Sequence, residues 1–140
     1  MLNIVIPMAG RGSRFVKAGF TIPKPMIPVG GVPMILLVIH NLTPQQPYRF
    51  IFLCLEEHIQ LYQIDQQLKA WAPNCEIIVV DQVTEGAACT VLLAKSFINN
   101  EDPLMIANSD QWIDIDINDY LEIMNRDIDG LIMTMWADDP

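Results

Sequence analysis

The chain has 140 residues, of which 51% are hydrophobic, and it carries a formal net charge of −9. This length and apolar content allow one domain with a sizeable core, and they argue against a disordered or fibrous protein. The acidic balance argues against nucleic acid as a partner of the whole surface. No apolar run approaches the roughly 20 residues that a membrane-spanning helix needs, so we expect no membrane partner.

The cysteines and the N-terminus both indicate a cytoplasmic protein. Cys54, Cys75 and Cys89 are widely separated and form no Cys-x-x-Cys motif, a distribution typical of reduced thiols. No basic residue precedes Arg11, and the first apolar run is interrupted at Pro7, so a secretory signal is not expected.

Short apolar runs alternate with helical patterns along the chain. The predicted strands are residues 2–6, 50–55, 76–80, 104–107 and 131–136. The predicted helices are residues 34–42, 57–71, 84 or 85 to 96, and 118–125, and residues 8–24 are predicted to be a loop with a helical turn. Because continuous apolar strands that alternate with helices are typical of buried parallel sheets, the predicted fold class is α/β with a mostly parallel sheet.

The chain shows no internal repeat and no linker, so residues 1–140 are predicted to be a single α/β domain. Doubly wound sheets usually have more strands than the five predicted. We therefore expect the sheet to be truncated and the chain to be part of a larger domain. An unpaired sheet edge would favour association between copies of the chain, and therefore a homo-oligomer.

The basic residues are concentrated at the start of the chain. Residues 1–55 contain five basic residues and no Asp or Glu, whereas residues 56–140 contain three basic residues and all seventeen acids. Four of the five early cations lie between positions 11 and 24. An acid-free basic segment suits a compact polyanion such as a triphosphate, and the alternative is a solvated loop.

A glycine-containing loop follows the first predicted strand. Gly10 and Gly12 would let backbone N–H groups face a phosphate without a Cβ in the way, at the sheet edge where ligands of α/β proteins bind. The Walker A sequence is absent, and a dinucleotide fingerprint would need a glycine at Phe15 and an acid before Glu56. Arg14 could give a forked phosphate contact, and Lys24, between two prolines, a point charge. We interpret Arg11 and Lys17 as solvated loop residues.

Two further segments follow later strands. In residues 81–88, Thr84 is a good N-cap, Gln82 could hydrogen-bond a base edge, and Gly86 leaves room for a flat ligand, although a capped helix with small packing residues is the simpler alternative. In residues 106–111, Asp110 follows a strand and could hold Mg²⁺, or could be a turn aspartate.

Residues 6–15, Ile-Pro-Met-Ala-Gly-Arg-Gly-Ser-Arg-Phe, together with residues 23–35, which begin Pro-Lys-Pro-Met-Ile-Pro, resemble the opening signature of the nucleotidyltransferase superfamily, which includes the sugar-1-phosphate nucleotidylyltransferases. The resemblance implies a Rossmann-like three-layer sandwich of the nucleotide-diphospho-sugar transferase type. It also implies that residues 1–140 are a single nucleotide-binding domain, the N-terminal part of a longer catalytic domain. It implies transfer of a nucleotide monophosphate from an NTP to a phosphorylated acceptor, with release of pyrophosphate.

The resemblance also implies roles for individual residues. Arg14 and Lys24 would be catalytic, Asp110 would be the Mg²⁺ ligand, and the base would lie against residues 82–86. The Gln-to-Gly spacing there is one residue shorter than in thymidylyltransferases. The nucleotide-binding residues implied are Ala9, Gly10, Gly12, Ser13, Arg14, Lys24, Gln82, Thr84 and Gly86.

Two other functions fit parts of the sequence. One is a nucleotide-binding module that does not turn over. The other is a glycosyltransferase of related fold, whose Asp-x-Asp metal motif Asp114 and Asp116 match formally, although the glycine loop and the Pro-Lys-Pro motif do not belong to it.

Overall fold

The computed structural model describes residues 1–124 and 128–136. Its strands are β1 (Leu2–Met8), β2 (Pro28–Val29), β3 (Val32–Pro33), β4 (Tyr48–Leu55), β5 (Glu76–Val80) and β6 (Leu104–Ile106). Its helices are α1 (Ser13–Lys17), α2 (Met34–Leu42), α3 (Glu56–Tyr62), α4 (Ile64–Trp71), α5 (Ala87–Leu92), α6 (Lys95–Ile98) and α7 (Ile117–Met124), with a 3₁₀ turn at Lys24–Met26. The prediction of a helix from Met34 to Leu42 is confirmed at both ends.

Four strands form one sheet in the order β5-β4-β1-β6, and all neighbouring pairs are parallel. The antiparallel pair β2 and β3 forms a separate small hairpin that was not predicted from the sequence. The chain moves outward from β1 to β4 and β5 on one side and then returns to place β6 on the other. The order in which strands are added therefore reverses at β1. At such a point α/β proteins bind ligands beyond the carboxyl ends of their strands.

Both faces of the sheet are covered, which confirms the three-layer arrangement. Alternate side chains of β1 and β4, such as Ile4 and Phe52, face a core cluster with buried residues of α2, α4 and α7. The intervening side chains, such as Val5 and Leu53, face a second cluster with residues of α5 and α6. A strand that is apolar on both faces has no polar alternation, which is why the sequence shows continuous apolar runs here.

Two predicted helices are interrupted. The helix predicted for residues 57–71 is two helices, because Gln63 between them has a left-handed backbone with φ 50°. The helix predicted to start at residue 84 or 85 begins at Ala87, and a turn after Leu92 separates it from α6. The N-cap is Gly86 rather than Thr84, so the capping prediction was wrong.

The strand predicted for residues 131–136 is absent. The segment has no regular structure, and Ile132, Met135 and Trp136 are at least 85% exposed. A strand requires a neighbour for its backbone hydrogen bonds, and none in the described part of the chain pairs with this segment. Among the described residues, the Tyr120 hydroxyl donates a hydrogen bond to the Leu131 carbonyl at the start of this segment. The last residue of the predicted helix 118–125 lies outside the described residues.

Candidate nucleotide site

The loop after β1 turns sharply at Gly12, whose φ of 58° lies in the left-handed region. The Gly12 carbonyl accepts hydrogen bonds from the backbone N–H groups of Phe15 and Val16, at 2.8 and 3.1 Å, and α1 begins directly after it. An L-residue with a side chain would be strained in this conformation. Glycine is therefore required here for the backbone path. Exposed Gly10, by contrast, lies outside the left-handed region, and a Cβ added there would meet no atom within 4 Å.

Lys24 lies against this turn. A Cβ placed on Gly12 would come within 3.2 Å of the Lys24 Cβ, so the absence of a side chain at Gly12 lets the two segments approach closely. Lys24 opens the 3₁₀ turn between Pro23 and Pro25, which are both buried. Its ammonium lies 5.0 Å from the centre of the Phe15 ring. The lysine stem is thus held by the fold while its charged end remains partly exposed.

Asp110 follows β6 and forms an ion pair with Lys24, through Oδ2 and Nζ. Both side chains are about one-third exposed, at 28% and 32%. The structure therefore brings together two residues for which the sequence predicts separate partners. The sequence indicates a phosphate contact for the lysine and a metal contact for the aspartate, and it contains no signal that the two residues would meet.

The other predicted phosphate-loop residues differ in their surroundings. Arg14 is exposed, and its guanidinium makes no hydrogen bond or ion pair with any described residue. Ser13 is also exposed. Ala9 is buried in the core cluster with Val91 and Ala94, so only its backbone could face a ligand. Arg14 therefore keeps its donors available for an anion.

The segment after β5 is fixed mainly by hydroxyl groups. The Thr84 hydroxyl donates to the Gly86 carbonyl at 3.0 Å and lies 2.5 Å from the hydroxyl oxygen of buried Thr90. Thr84 thus shapes the turn, and Thr90 is a partner that was not predicted from the sequence. Gln82 and Gly86 are exposed. Helix α5 packs against β1, so this turn and the glycine loop belong to neighbouring elements.

The far end of the loop is anchored to α3. The Tyr62 hydroxyl donates to the Thr21 carbonyl at 2.6 Å, and these residues line a cavity of about 380 Å³ with Arg11, Phe20 and His58. Burial lowers the pKa of His58, against the opposing effect of the Glu57 charge. Two contacts therefore fix the loop of residues 10–24: the close approach of Gly12 and Lys24, and the hydrogen bond from α3 to Thr21.

Arg49, the fifth basic residue of residues 1–55, makes contacts that stabilise the fold. Arg49 donates from Nε and Nη2 to Oδ1 of buried Asn3, at 3.0 and 2.8 Å, and Nη2 also reaches the Phe97 carbonyl at 3.3 Å. These contacts lie at the amino ends of β1 and β4, opposite the glycine loop. Arg49 therefore does not belong to the predicted phosphate site.

The donor set at Asp110 fits Mg²⁺ only if substrate oxygens complete it. No three His, Cys, Asp or Glu residues are grouped to hold a metal within residues 1–124 and 128–136. Mg²⁺ is often held by one or two carboxylates plus phosphate oxygens and water, and Asp110 supplies such a carboxylate. Its Oδ2 already faces a cationic group, the Lys24 ammonium.

The fold is α/β, with a parallel sheet and a glycine-containing loop after its first strand. The chain belongs to the nucleotidyl transferase family, whose sequence model matches residues 4–139. It is 29% identical to the bifunctional protein GlmU of Methanococcus aeolicus over 143 residues, covering 99% of this chain and 31% of that protein. It is 25% identical to a UTP–glucose-1-phosphate uridylyltransferase of Streptococcus pyogenes, covering 79% of this chain and 42% of that protein.

Solved structures agree on the fold. A nucleoside-diphosphate-sugar pyrophosphorylase from Vibrio cholerae matches with a TM-score of 0.58 and 27% identity, covering 76% of this chain and 47% of that one. A proposed glucose-1-phosphate thymidylyltransferase from Bacillus anthracis matches with a TM-score of 0.69 and 21% identity, covering 89% of this chain and 50% of that one. This chain thus spans half or less of the length of each of these four proteins. No helix in its described part is long and apolar enough to cross a membrane.

Proposed function

We propose that the protein transfers a nucleotide monophosphate from an NTP to a sugar 1-phosphate or a similar phosphorylated acceptor, and releases pyrophosphate. The observation that carries the proposal is the meeting of Lys24 and Asp110 beside the Gly12 turn, beyond the carboxyl ends of β1 and β6. The names of the relatives, GlmU and glucose-1-phosphate uridylyltransferase, support an acceptor of this class.

In this proposal the triphosphate lies along residues 10–24, and the base lies against residues 82–86. Arg14 and Lys24 contact phosphate oxygens, with a forked guanidinium and a mobile ammonium respectively. Exposed Gln82 offers a donor and an acceptor to the base edge, and the small residue Gly86 leaves space beside it. Thr84 contributes by holding the turn through its hydrogen bond to the Gly86 carbonyl.

The reaction requires little covalent chemistry from the protein. A phosphate oxygen of the acceptor forms a bond to the α-phosphorus, and the bond from that phosphorus to the bridging oxygen of pyrophosphate breaks. The attacking oxygen is already anionic, so no base has to remove a proton. Arg14 and Lys24 would align the reactants and neutralise charge. Mg²⁺, which Asp110 would hold, would supply further neutralisation of the phosphates.

The glycosyltransferase alternative gains no support from its proposed metal motif. The Asp116 carboxylate accepts hydrogen bonds from the backbone and side-chain nitrogens of Asn118, both at 2.8 Å, at the start of α7. Asp114 is exposed. Asp116 therefore caps a helix. A nucleotide-binding module without turnover is the second candidate, and it would bind an NTP without releasing pyrophosphate.

The test measures pyrophosphate release by the protein when each of a panel of NTPs is combined with sugar 1-phosphates or with phosphocholine. We expect Asp110→Asn to abolish metal-dependent release while the circular dichroism spectrum is unchanged. Asp114→Asn is the matched control and should retain activity. Equal activity of the two variants would contradict the role of Asp110. Release of free nucleoside diphosphate from a nucleotide sugar would indicate the glycosyltransferase instead.

A further inference from the structure

The ion pair between Lys24 and Asp110 joins two residues to which the proposed function gives different partners. The lysine would bind phosphate and the aspartate would bind the metal, yet the structure pairs them with each other. A carboxylate oxygen that faces an ammonium presents a poorer site to a divalent cation, because the two cations compete for one charge and repel each other.

We propose that this ion pair acts as a lock: the Lys24 ammonium occupies the cation position at Asp110 until a nucleotide binds together with its metal ion and replaces it. The proposal rests on the proposed function and adds an order of binding to it. A free divalent cation has to displace the lysine from Asp110. A metal–nucleotide complex offers the lysine a new partner, because its phosphate oxygens carry more negative charge than one carboxylate.

The structure favours such an exchange. Both side chains are about one-third exposed, and partly exposed ion pairs are weak enough to break readily. The Lys24 stem is held by its close approach to Gly12 and by its flanking prolines, so only the end of the side chain has to move. The Phe15 ring, 5.0 Å from Nζ, offers the ammonium a contact that does not depend on Asp110.

Binding of the two ligands should therefore be coupled. A nucleotide that draws Lys24 away frees Asp110 for the metal, and a metal at Asp110 frees Lys24 for the nucleotide. Such coupling is reciprocal by thermodynamic necessity. Metal alone should bind weakly, although the carboxylate itself suits it.

The test measures binding of Mn²⁺ alone, by the electron paramagnetic resonance signal of the free ion. Lys24→Gln and Lys24→Met should each bind Mn²⁺ about two- to fivefold more tightly than the original protein, the order expected when a weak competing ion pair is removed. Lys17→Gln removes an exposed lysine of the same loop and should leave the affinity unchanged. Adding Asp110→Asn to either Lys24 variant should abolish the gain.

Unchanged or weaker Mn²⁺ binding in both Lys24 variants would overturn the lock, as would an equal gain in Lys17→Gln. A double-mutant cycle on thermal unfolding with Lys24→Gln and Asp110→Asn gives a second readout: non-additive effects are expected, and strict additivity would show that the pair does not form. Absence of NTP binding by the original protein, with the Mn²⁺ pattern intact, would refute the proposed function while leaving the competition at Asp110 established.

Discussion

Replacing Gly12 by alanine should damage both the fold and the proposed phosphate site. At φ 58° an L-residue costs roughly 1–2 kcal/mol relative to glycine. The new methyl group would also lie 3.2 Å from the Lys24 Cβ, so one of the two segments has to shift by a few tenths of an ångström. We expect a loss of about 1.5–3 kcal/mol in the free energy of unfolding, the conformational cost plus a modest contact term.

Two other glycines separate these contributions. Gly19 has a φ of 90°, but a Cβ added there would meet no atom within 4 Å, so Gly19→Ala should show the conformational cost alone. Gly10 has neither a left-handed φ nor a close neighbour, so Gly10→Ala should change stability by less than about 0.5 kcal/mol. Urea unfolding followed by tryptophan fluorescence measures all three variants.

Nucleotide affinity gives the second readout. Because a side chain at position 12 displaces Lys24, Gly12→Ala should weaken NTP binding by calorimetry at a temperature where the variant is folded. Gly19→Ala, whose added Cβ would not contact Lys24, should weaken NTP binding less than Gly12→Ala does. If Gly12→Ala proved as stable as Gly10→Ala, this would contradict both the left-handed conformation of Gly12 and its close contact with Lys24.

Of four further predictions, one concerns Lys24, two concern the cysteines and one concerns the activity of the chain alone. Lys24→Ala should weaken NTP binding by about 1.5–3 kcal/mol, the usual loss of a charge-assisted hydrogen bond, and unchanged calorimetric affinity would exclude the phosphate contact. Burial raises the pKa of Cys54 to about 12 and also raises that of Cys75, whereas Cys89 is exposed. A thiol reagent at pH 8 should therefore modify one cysteine, and none in Cys89→Ser; reaction of two or more would contradict the burial. In the unfolded chain Cys54 ionises near pH 9.0, whereas in the folded protein it stays protonated up to about pH 12. The free energy of unfolding should therefore decline between about pH 9 and 12, by up to about 1.4 kcal/mol per pH unit. An equal alkaline decline of the urea midpoint in Cys54→Ala would refute this. The 140-residue chain alone should show little pyrophosphate release, because it spans less than half of its curated relatives, and turnover at roughly 1–10³ s⁻¹ would refute that.

The sequence alone determined the features that depend on local backbone chemistry. The apolar runs of β1, β4 and β5 and the helix Met34–Leu42 follow from periodicity and from proline positions. The sequence predicted that Gly10 and Gly12 allow close approach of a phosphate, whereas the left-handed turn that requires glycine at position 12 emerged only from the structure. The resemblance carried by the glycine loop and the Pro-Lys-Pro motif led to the correct family.

The tertiary structure decided which distant residues meet. Residues 131–136 have the composition of a strand, but a strand forms only where a neighbour supplies hydrogen bonds, and none in the described part of the chain does so here. Arg49 carries the same charge as the loop cations, yet the β1–β4 register commits it to Asn3. Lys24 and Asp110 meet because the sheet order places β6 beside β1, a pairing set by long-range packing that no local pattern encodes.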